Sequence, residues 1–305
     1  MSDPVISIQG LRKSYGEFSA LKGIDLEVGR EEILGVLGPN GAGKTTTVEI
    51  LEGYLGRDGG EVEVLGIDPA HPTRAWREKI GIVLQGTTLE PTLTVSESLQ
   101  LYAGYFSNPR PVEEVISLVG LEESAGKRAG RLSGGQQRRL DVGIALIGDP
   151  ELLFLDEPTT GFDPSARRHA WEMISGLRDL GKTVLLTTHY LEEAQALADR
   201  VAVMSDGVIV AEDTPENLGG RENLPTRITF VLPEGISPGD LPAAGRAAVE
   251  DELGGNGRIA VIETDDAVKD LQVITAWALE RNLPLTGLEV KRPSLEDVYL
   301  RLTEA

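Results

Sequence analysis

The sequence predicts an α/β protein in which a mostly parallel sheet is covered by helices on both faces. Short runs rich in Leu, Ile and Val alternate along the chain with segments of helical periodicity, as in successive strand–helix units. Three of these runs, 33–38, 152–156 and 183–189, are almost continuously apolar, which is typical of buried parallel strands. Such sheets bind ligands at the carboxyl ends of their strands, so the residues that follow these runs are candidates for a site.

Hydrophobic periodicity predicts the other elements of the N-terminal two thirds. Alternating apolar and polar residues at 5–8, 24–28 and 61–66 indicate half-exposed strands. Helices are predicted over 44–54, 96–106, 111–119, 134–148, 164–180 and 190–199. The chain therefore alternates between the two element types as far as about residue 200.

A break at 217–225, where Gly, Asn and Pro interrupt both periodicities, separates a small α+β tail. Its predicted elements are strands at 227–232, 258–263 and 285–290, a helix over 267–282, and a last helix opened by a capping box of Ser294 and Asp297. We predict one domain over 1–219, with a helical subdomain over about 86–150, and a second domain over 220–305.

Composition excludes several classes of protein. The chain has 305 residues, no cysteine and three scattered histidines, which excludes disulfides and thiolate metal sites. The formal net charge of −20 argues against a nucleic acid partner, and the C-terminal third from residue 211, with 18 acidic and 9 basic residues, is the more acidic part of the chain. The sequence contains no apolar run long enough to span a bilayer and no N-terminal secretory pattern. We therefore expect a soluble chain whose membrane role, if any, depends on a partner.

The clearest motif is "GPNGAGKT" at 38–45, the phosphate loop, which matches G-x-x-x-x-G-K-[ST] between an apolar strand and a helix. Its glycines let backbone N–H groups turn toward phosphate oxygens, and the helix N-terminus adds positive charge. Lys44 is expected to reach the β- and γ-phosphates, Thr45 to ligate Mg²⁺ and Thr46 to donate to the α-phosphate. The predicted nucleotide-binding residues of this loop are Gly38, Pro39, Asn40, Gly41, Ala42, Gly43, Lys44, Thr45 and Thr46.

Two carboxylates follow the buried run 152–156. Asp156 is placed to hold Mg²⁺ through water, and Glu157 to polarise a water that attacks the γ-phosphate. Without the phosphate loop upstream, such a pair would indicate only a solvated strand end.

A second glycine-rich segment, the LSGGQ loop (residues 132–136), also opens a helix. Taken alone, its "SGG" is typical of a helix N-cap with a flexible approach. Beside the phosphate loop and the carboxylate pair, it completes a set that resembles the nucleotide-binding subunit of an ABC transporter. The set runs "GPNGAGKTT", "GIVLQG", "LSGGQ", "LLFLDEP", "TTGFDP" and "LLTTHY", and it covers residues 4 to about 217.

The resemblance implies that two copies meet head to tail and that each ATP lies between the phosphate loop of one copy and the LSGGQ loop of the other. In that arrangement Ser133, Gly134, Gly135 and Gln136 contact the nucleotide of the partner copy. Tyr15 matches the aromatic residue that stacks on adenine, Gln85 the glutamine that touches Mg²⁺ and the attacking water, and His189 the histidine that contacts the γ-phosphate. Asp163 matches the residue that bridges the two subunits, although Phe162 stands where the family more often has Leu.

The tail, ending in "PSLEDVYLRLT", resembles the C-terminal extension of ABC-2 type export ATPases. This resemblance implies a homodimer that hydrolyses ATP on the inner face of the cell membrane and powers export through a separate permease. The segment from Gln85 to about residue 130 would form the helical subdomain whose surface receives the permease, and ordinary helix core with a polar loop is the alternative for the residues 87–106 within it. Two alternatives remain open at this level, an importer subunit with the same motifs and a soluble ATPase that acts on ribosomes or DNA. The single cassette, the missing coiled coils and the acidity disfavour the soluble alternative.

Overall fold

The computed structural model describes residues 3–86, 89–233, 235–242, 245–251, 258–292 and 294–303. Within them the chain folds as two compact units, divided between Pro215 and Glu216. The predicted α/β class with a second, smaller α+β unit is confirmed. The predicted domain extents of 1–219, about 86–150 and 220–305 stay a prediction, and Thr87 and Thr88 lie outside the described residues.

The strands of the first unit are β1 (Ile6–Tyr15), β2 (Phe18–Val28), β3 (Ile33–Leu37), β4 (Gly59–Val64), β5 (Ile80–Val83), β6 (Leu152–Asp156), β7 (Thr183–Thr188), β8 (Arg200–Ser205) and β9 (Val208–Asp213). Its helices are α1 (Lys44–Leu51), α2 (Arg74–Arg77), α3 (Val95–Ala103), α4 (Val112–Leu118), α5 (Gly134–Leu146), α6 (Pro164–Asp179) and α7 (Leu191–Leu197), with 3₁₀ turns at Glu122–Ser124 and Ala129–Arg131.

The central sheet of this unit has the strand order β5-β6-β7-β3-β8-β9. The strands from β5 to β8 are parallel, and β9 runs antiparallel to β8. Strands β3, β6 and β7 are buried along their whole length, as their apolar runs predict. Because parallel neighbours end at one edge, the loops after β3, β5, β6 and β7 meet there.

A smaller antiparallel sheet has the strand order β2-β1-β4. Its apolar residues pack against residues of the central sheet, and together they form the first hydrophobic core of this unit. Its strands β1 and β2 form one long hairpin, whereas the sequence predicted only the short stretches 5–8 and 24–28. Register shifts along the hairpin disturb the alternation on which that prediction depended. The hairpin brings Tyr15 opposite Phe18 at its tip.

A second core lies on the side of the central sheet covered by α3, α4, α5 and α6. Helix α3 begins with a capping box, in which Thr94 accepts a hydrogen bond from the Glu97 backbone and the Glu97 carboxylate accepts one from Thr94. Leu99 and Leu140, from α3 and α5, are fully buried in this core. The three helices expected in the segment 86–150 are therefore present.

The second unit contains β10 (Thr226–Val231), β11 (Arg246–Asp251), β12 (Arg258–Thr264), β13 (Glu289–Lys291), α8 (Ala267–Glu280), α9 (Leu295–Thr303), and 3₁₀ segments at Leu218–Asn223 and Pro238–Asp240. Its sheet is antiparallel in the order β11-β12-β10-β13, and its core packs Ile274 of α8 against Ile228 and Phe230 of β10. The capping box of Ser294 and Asp297 is confirmed. The strand predicted over 285–290 is wrong in its first four residues, because a turn at Gly287, with φ of +67°, precedes β13.

Among the described residues, no helix combines the length and the apolar character needed to cross a bilayer.

Glu52, at the end of α1, is a buried carboxylate that sequence patterns do not reveal. It is 6% exposed, and neither of its carboxylate oxygens accepts a hydrogen bond within the described part of the chain. Burial, reinforced by the nearby carboxylates of Asp156 and Glu49, raises the pKa of Glu52 to about 8. The side chain is therefore uncharged in the folded protein at neutral pH.

This raised pKa predicts a pH-dependent stability that Glu52→Gln removes. A proton binds more tightly to Glu52 in the folded state, so its contribution to stability is complete below the ordinary pKa of 4.5 and is lost as pH rises toward about 8. We expect the melting temperature of the wild type to fall relative to that of Glu52→Gln between about pH 5 and about pH 8.5. Thermal denaturation in matched buffers measures this, with the exposed Glu17→Gln as control. A constant difference between Glu52→Gln and the wild type across that range would refute the assignment.

Candidate functional site

The phosphate loop connects β3 to the first turn of α1, and its glycines are required by its geometry. Gly41 and Gly43 have φ of +85° and +104°, in the left-handed region that favours glycine. A Cβ atom on Gly43 would lie 2.7 Å from the Leu21 side chain and 2.9 Å from the carbonyl oxygen of Ala20. The residues Gly38, Pro39, Asn40, Gly41, Ala42 and Gly43 form the loop, and Lys44, Thr45 and Thr46 form the first turn of α1.

Lys44 is buried inside this loop. Its Nζ donates to the carbonyl oxygens of Gly38 and Pro39, at 2.7 and 3.1 Å, and lies 3.7 Å from Oε1 of Glu157. Burial lowers the pKa of Lys44, while the carboxylates of Glu157 and Asp156 oppose that shift. A cation is thus held at the centre of a loop whose helix N-terminus favours anions.

Glu157 follows β6 in a conformation that few side chains adopt, with φ of +44°. Its backbone N–H donates to Oγ1 of Thr187 at 3.0 Å, which fixes the turn against β7. Its Oε2 accepts hydrogen bonds from Nε2 of Gln85, at 3.1 Å, and from Oγ1 of Thr160, at 3.0 Å. The end of β6 therefore directs this carboxylate toward the loop after β5 and toward the phosphate loop.

His189, just after β7, lies on the other side of the same carboxylate. Its Nδ1 lies 3.2 Å from Oε1 of Glu157. Burial raises the pKa of Glu157, yet the contacts with His189, Thr160 and Lys44 outweigh it and hold that pKa below its usual value. Glu157 is therefore ionised at neutral pH and free to accept a proton.

Asp156 closes β6 and is buried, with Thr187 donating its hydroxyl to Oδ1. Thr45 and Gln85 line one cavity, and Gln85 uses its amide nitrogen on Glu157, which leaves the amide oxygen for a cation. Within the described part of the chain, no cluster of three or more acidic or histidine side chains forms a metal cage. A few oxygen ligands beside a phosphate site suit Mg²⁺, which keeps several waters and shares its coordination with substrate phosphates.

One cavity of about 400 Å³ brings most of the predicted nucleotide site together. Tyr15 and Phe18, at the hairpin tip, line this cavity, and they are 49% and 62% exposed. The phosphate loop, Gln85 and Glu157 also line it. Two exposed aromatic rings beside a phosphate site suit a planar base.

The LSGGQ loop lies in a different cavity, of about 420 Å³, which it shares with Asp163. Ser133 caps α5 in a capping box with Gln136, and Gly134 is exposed at the first turn of the helix. Asp163 caps α6 by accepting from the backbone N–H groups of Ser165 and Ala166, both at 2.9 Å. Ser133 and Asp163 therefore each cap a helix beside this cavity, and the two cavities share no lining residue among those described.

Three residues to which the sequence alone assigned no role contribute to the site. Thr160 and Thr187 donate to the carboxylates of Glu157 and Asp156, and Phe18 adds the second exposed ring. Thr160 and Thr187 stand inside or beside recognised motifs, so their position was a usable signal. Phe18 carries no such signal, because only the hairpin register places it opposite Tyr15.

Comparison with known proteins decides the family. The ABC transporter family profile matches residues 21–160, and the profile of an ABC transporter domain-containing protein-like C-terminal domain matches residues 226–294. A daunorubicin resistance ATP-binding protein of Streptomyces coeruleorubidus is 38% identical to this chain over 99% of it and 97% of its own length. The chain belongs to the ABC transporter family of ATP-binding proteins. It is an ATPase of that family, as its motifs predict.

Two further comparisons extend this result. A Nod factor export ATP-binding protein of Ralstonia nicotianae is 38% identical over 99% of this chain and 94% of its own length. Among solved structures, a dimeric ATP-binding cassette in a post-hydrolysis state, bound to ADP and phosphate, is 27% identical with a TM-score of 0.61. That match covers 68% of this chain and 98% of the cassette.

Proposed function

We propose that this ABC ATPase is the ATP-hydrolysing subunit of an ABC-2 type exporter and drives an unidentified substrate through a separate membrane permease. The observation that carries the proposal is the match to resistance and export ATP-binding proteins along the whole chain, tail included. The chain would act on the cytoplasmic side and reach the inner face of the membrane through the permease. Its domains would be 1–219, with the helical subdomain over about 86–150, and 220–305.

ATP would bind in the cavity that holds the phosphate loop. The adenine ring stacks on Tyr15, which is half exposed at the hairpin tip. The loop amides and the N-terminus of α1 receive the phosphates, and Lys44 turns its ammonium group to the β- and γ-phosphates. Thr46 donates to the α-phosphate from the same turn.

Mg²⁺ would be held by the Thr45 hydroxyl, the Gln85 amide oxygen and, through water, the Asp156 carboxylate. When bound, the ion would neutralise negative charge on the phosphate oxygens. The Thr187 hydroxyl keeps Asp156 oriented, because it occupies one of the two carboxylate oxygens.

Glu157 would orient the attacking water and accept its proton. The water oxygen bonds to the γ-phosphorus as the bond to the bridging oxygen breaks, and ADP and phosphate are released. Gln85 holds one carboxylate oxygen of Glu157 by its amide N–H, and His189 lies beside the other oxygen, where it can also contact the γ-phosphate. The lowered pKa of Glu157 predicts that hydrolysis persists at neutral pH and is lost only as pH falls into the acid range.

The LSGGQ loop would complete the site of a second copy. Ser133 and Gly134 are exposed at the N-terminus of α5, where amides favour an anion, yet they do not line the phosphate-loop cavity of their own chain. A head-to-tail homodimer resolves this separation, and Asp163 lies beside the loop where the two copies would meet. ATP binding would close the dimer and hydrolysis would reopen it, which would move the permease.

Affinity purification from native membranes in mild detergent, followed by mass spectrometry, tests this proposal. We expect a stoichiometric polytopic membrane protein of the ABC-2 type to copurify. A permease with a substrate-binding protein would favour the importer alternative. Ribosomal proteins, or no partner while the chain still hydrolyses ATP, would favour the soluble alternative and overturn the exporter proposal.

A further inference from the structure

We propose that Arg138, on α5, positions Gln85 and Glu157 for hydrolysis. This inference rests on the proposed function of those two residues. Arg138 lies one turn beyond the exposed start of the helix that the LSGGQ loop opens, and it is 7% exposed. Arg138 lines the cavity of the LSGGQ loop but not that of the phosphate loop, and its guanidinium group donates to backbone carbonyls, so it acts as a positioning residue.

The guanidinium group of Arg138 joins three backbone carbonyls from two different loops. Its Nε donates to the carbonyl oxygen of Pro158 at 3.1 Å, and its Nη2 to that of Asp156 at 2.9 Å. Its Nη1 donates to the carbonyl oxygen of Leu84. Asp156 and Pro158 flank Glu157 in the chain, and Leu84 immediately precedes Gln85, so one side chain holds the backbone on both sides of the hydrogen bond between Gln85 and Glu157.

A planar guanidinium is suited to this task because its N–H groups point outward in a fixed fork. Burial lowers the pKa of Arg138, and the carboxylates of Asp141, Asp156 and Glu193 oppose that shift. A buried cation of this kind is stable only when its polar atoms are hydrogen-bonded, and the three carbonyls give each of its three nitrogens an acceptor. The hydrogen bonds that stabilise the buried charge therefore also hold the two loops in place.

Glu157 needs such support because its backbone occupies a strained region. Without Arg138, the loop after β5 and the turn after β6 lose their common anchor. The carboxylate and the Gln85 amide would then drift from the alignment needed to orient a water, and misplacement of about 1 Å can cost about 10²-fold in rate. Nucleotide binding to the phosphate loop would be unaffected.

Two variants and a matched control test the inference with the full-length chain. Arg138→Gln removes the charge and most of the fork, and Arg138→Lys keeps the charge but cannot span three carbonyls. Arg57→Gln is the control, because Arg57 also makes three guanidinium hydrogen bonds, to the Gly60 carbonyl and both oxygens of Asp68, away from the site. The measurements are kcat and KM for ATP, equilibrium binding of a fluorescent ATP analogue, and the melting temperature.

We expect kcat to fall about tenfold or more in Arg138→Gln and less in Arg138→Lys, with analogue affinity retained within about twofold. Arg57→Gln is expected to keep the wild-type kcat, even if its melting temperature falls as far as that of Arg138→Gln. If Arg138→Gln does not fold, Arg138→Lys alone decides the matter by its kcat at retained affinity. A wild-type kcat in the folded Arg138 variants, or an equal loss in Arg57→Gln, would overturn the inference while leaving the proposed function standing. A wild-type chain that hydrolyses no ATP would overturn both.

Discussion

Glu157→Gln leaves ATP binding intact and lowers the rate of hydrolysis by about 10²- to 10⁴-fold, the range typical of a lost general base. The substitution preserves the shape of the side chain and its bond from Thr160, but an amide cannot take a proton from water. The carboxylate it replaces is ionised, because the contacts with His189, Thr160 and Lys44 hold its pKa down despite burial.

Phosphate release and binding of a fluorescent ATP analogue measure the two halves of this prediction. Glu151→Gln is a matched control, because Glu151 flanks the opposite end of β6 and pairs with Lys79 and Arg30 at the surface. We expect the control to hydrolyse ATP at the wild-type rate. Hydrolysis by Glu157→Gln at the wild-type rate would show that another group accepts the proton.

Lys44→Ala is expected to weaken ATP binding by about two orders of magnitude, since it removes a charge-assisted contact to the β- and γ-phosphates, worth about 1.5–3 kcal/mol. The loop also loses its internal support, because Nζ of Lys44 bonds two of its carbonyls. The carboxylates of Asp156 and Glu157 would in addition lose the charge of a neighbouring ammonium group.

Equilibrium titration with the same ATP analogue measures the loss. Lys79→Ala serves as control, because Lys79 forms a surface ion pair with Glu151 and lies outside the cavity. Its affinity for the analogue is expected to match the wild type. Unchanged affinity in Lys44→Ala would mean that the phosphates bind elsewhere.

The part of the site that follows buried strands could be predicted from the sequence. Continuous apolar runs located β3, β6 and β7, and parallel pairing then placed Lys44, Glu157 and His189 at one edge of the sheet. Glycine spacing predicted the phosphate loop because a positive φ and a close approach leave no room for a Cβ atom. These are local constraints, which a sequence records directly.

Features that depend on tertiary contacts were not predictable in the same way. Nothing in the sequence indicates that Arg138 reaches the carbonyls of Leu84 and Asp156, which are 54 and 18 residues away. The raised pKa of Glu52 depends on burial, which its neighbours in sequence do not reveal. The positive φ of Glu157 likewise depends on a tertiary contact, because the backbone N–H of Glu157, just after β6, is bonded to Thr187 of β7.

In the proposed head-to-tail homodimer, each ATP is held between the phosphate loop of one copy and the LSGGQ loop of the other. The matched variant for testing it is Gly134→Asp, made in the Glu157→Gln background. A Cβ atom on Gly134 meets open space, and an acidic residue suits the N-terminus of α5, so the fold is retained. The new carboxylate would repel the γ-phosphate of the partner copy while leaving the phosphate loop of its own chain free.

Light scattering of Glu157→Gln with and without MgATP is the most direct test. We expect Glu157→Gln to be a monomer without nucleotide and a dimer with MgATP. Once Gly134→Asp is added, we expect a monomer in both conditions, with ATP still bound. A Glu157→Gln chain that binds MgATP and remains a monomer, or a dimer that survives Gly134→Asp, would contradict the shared site.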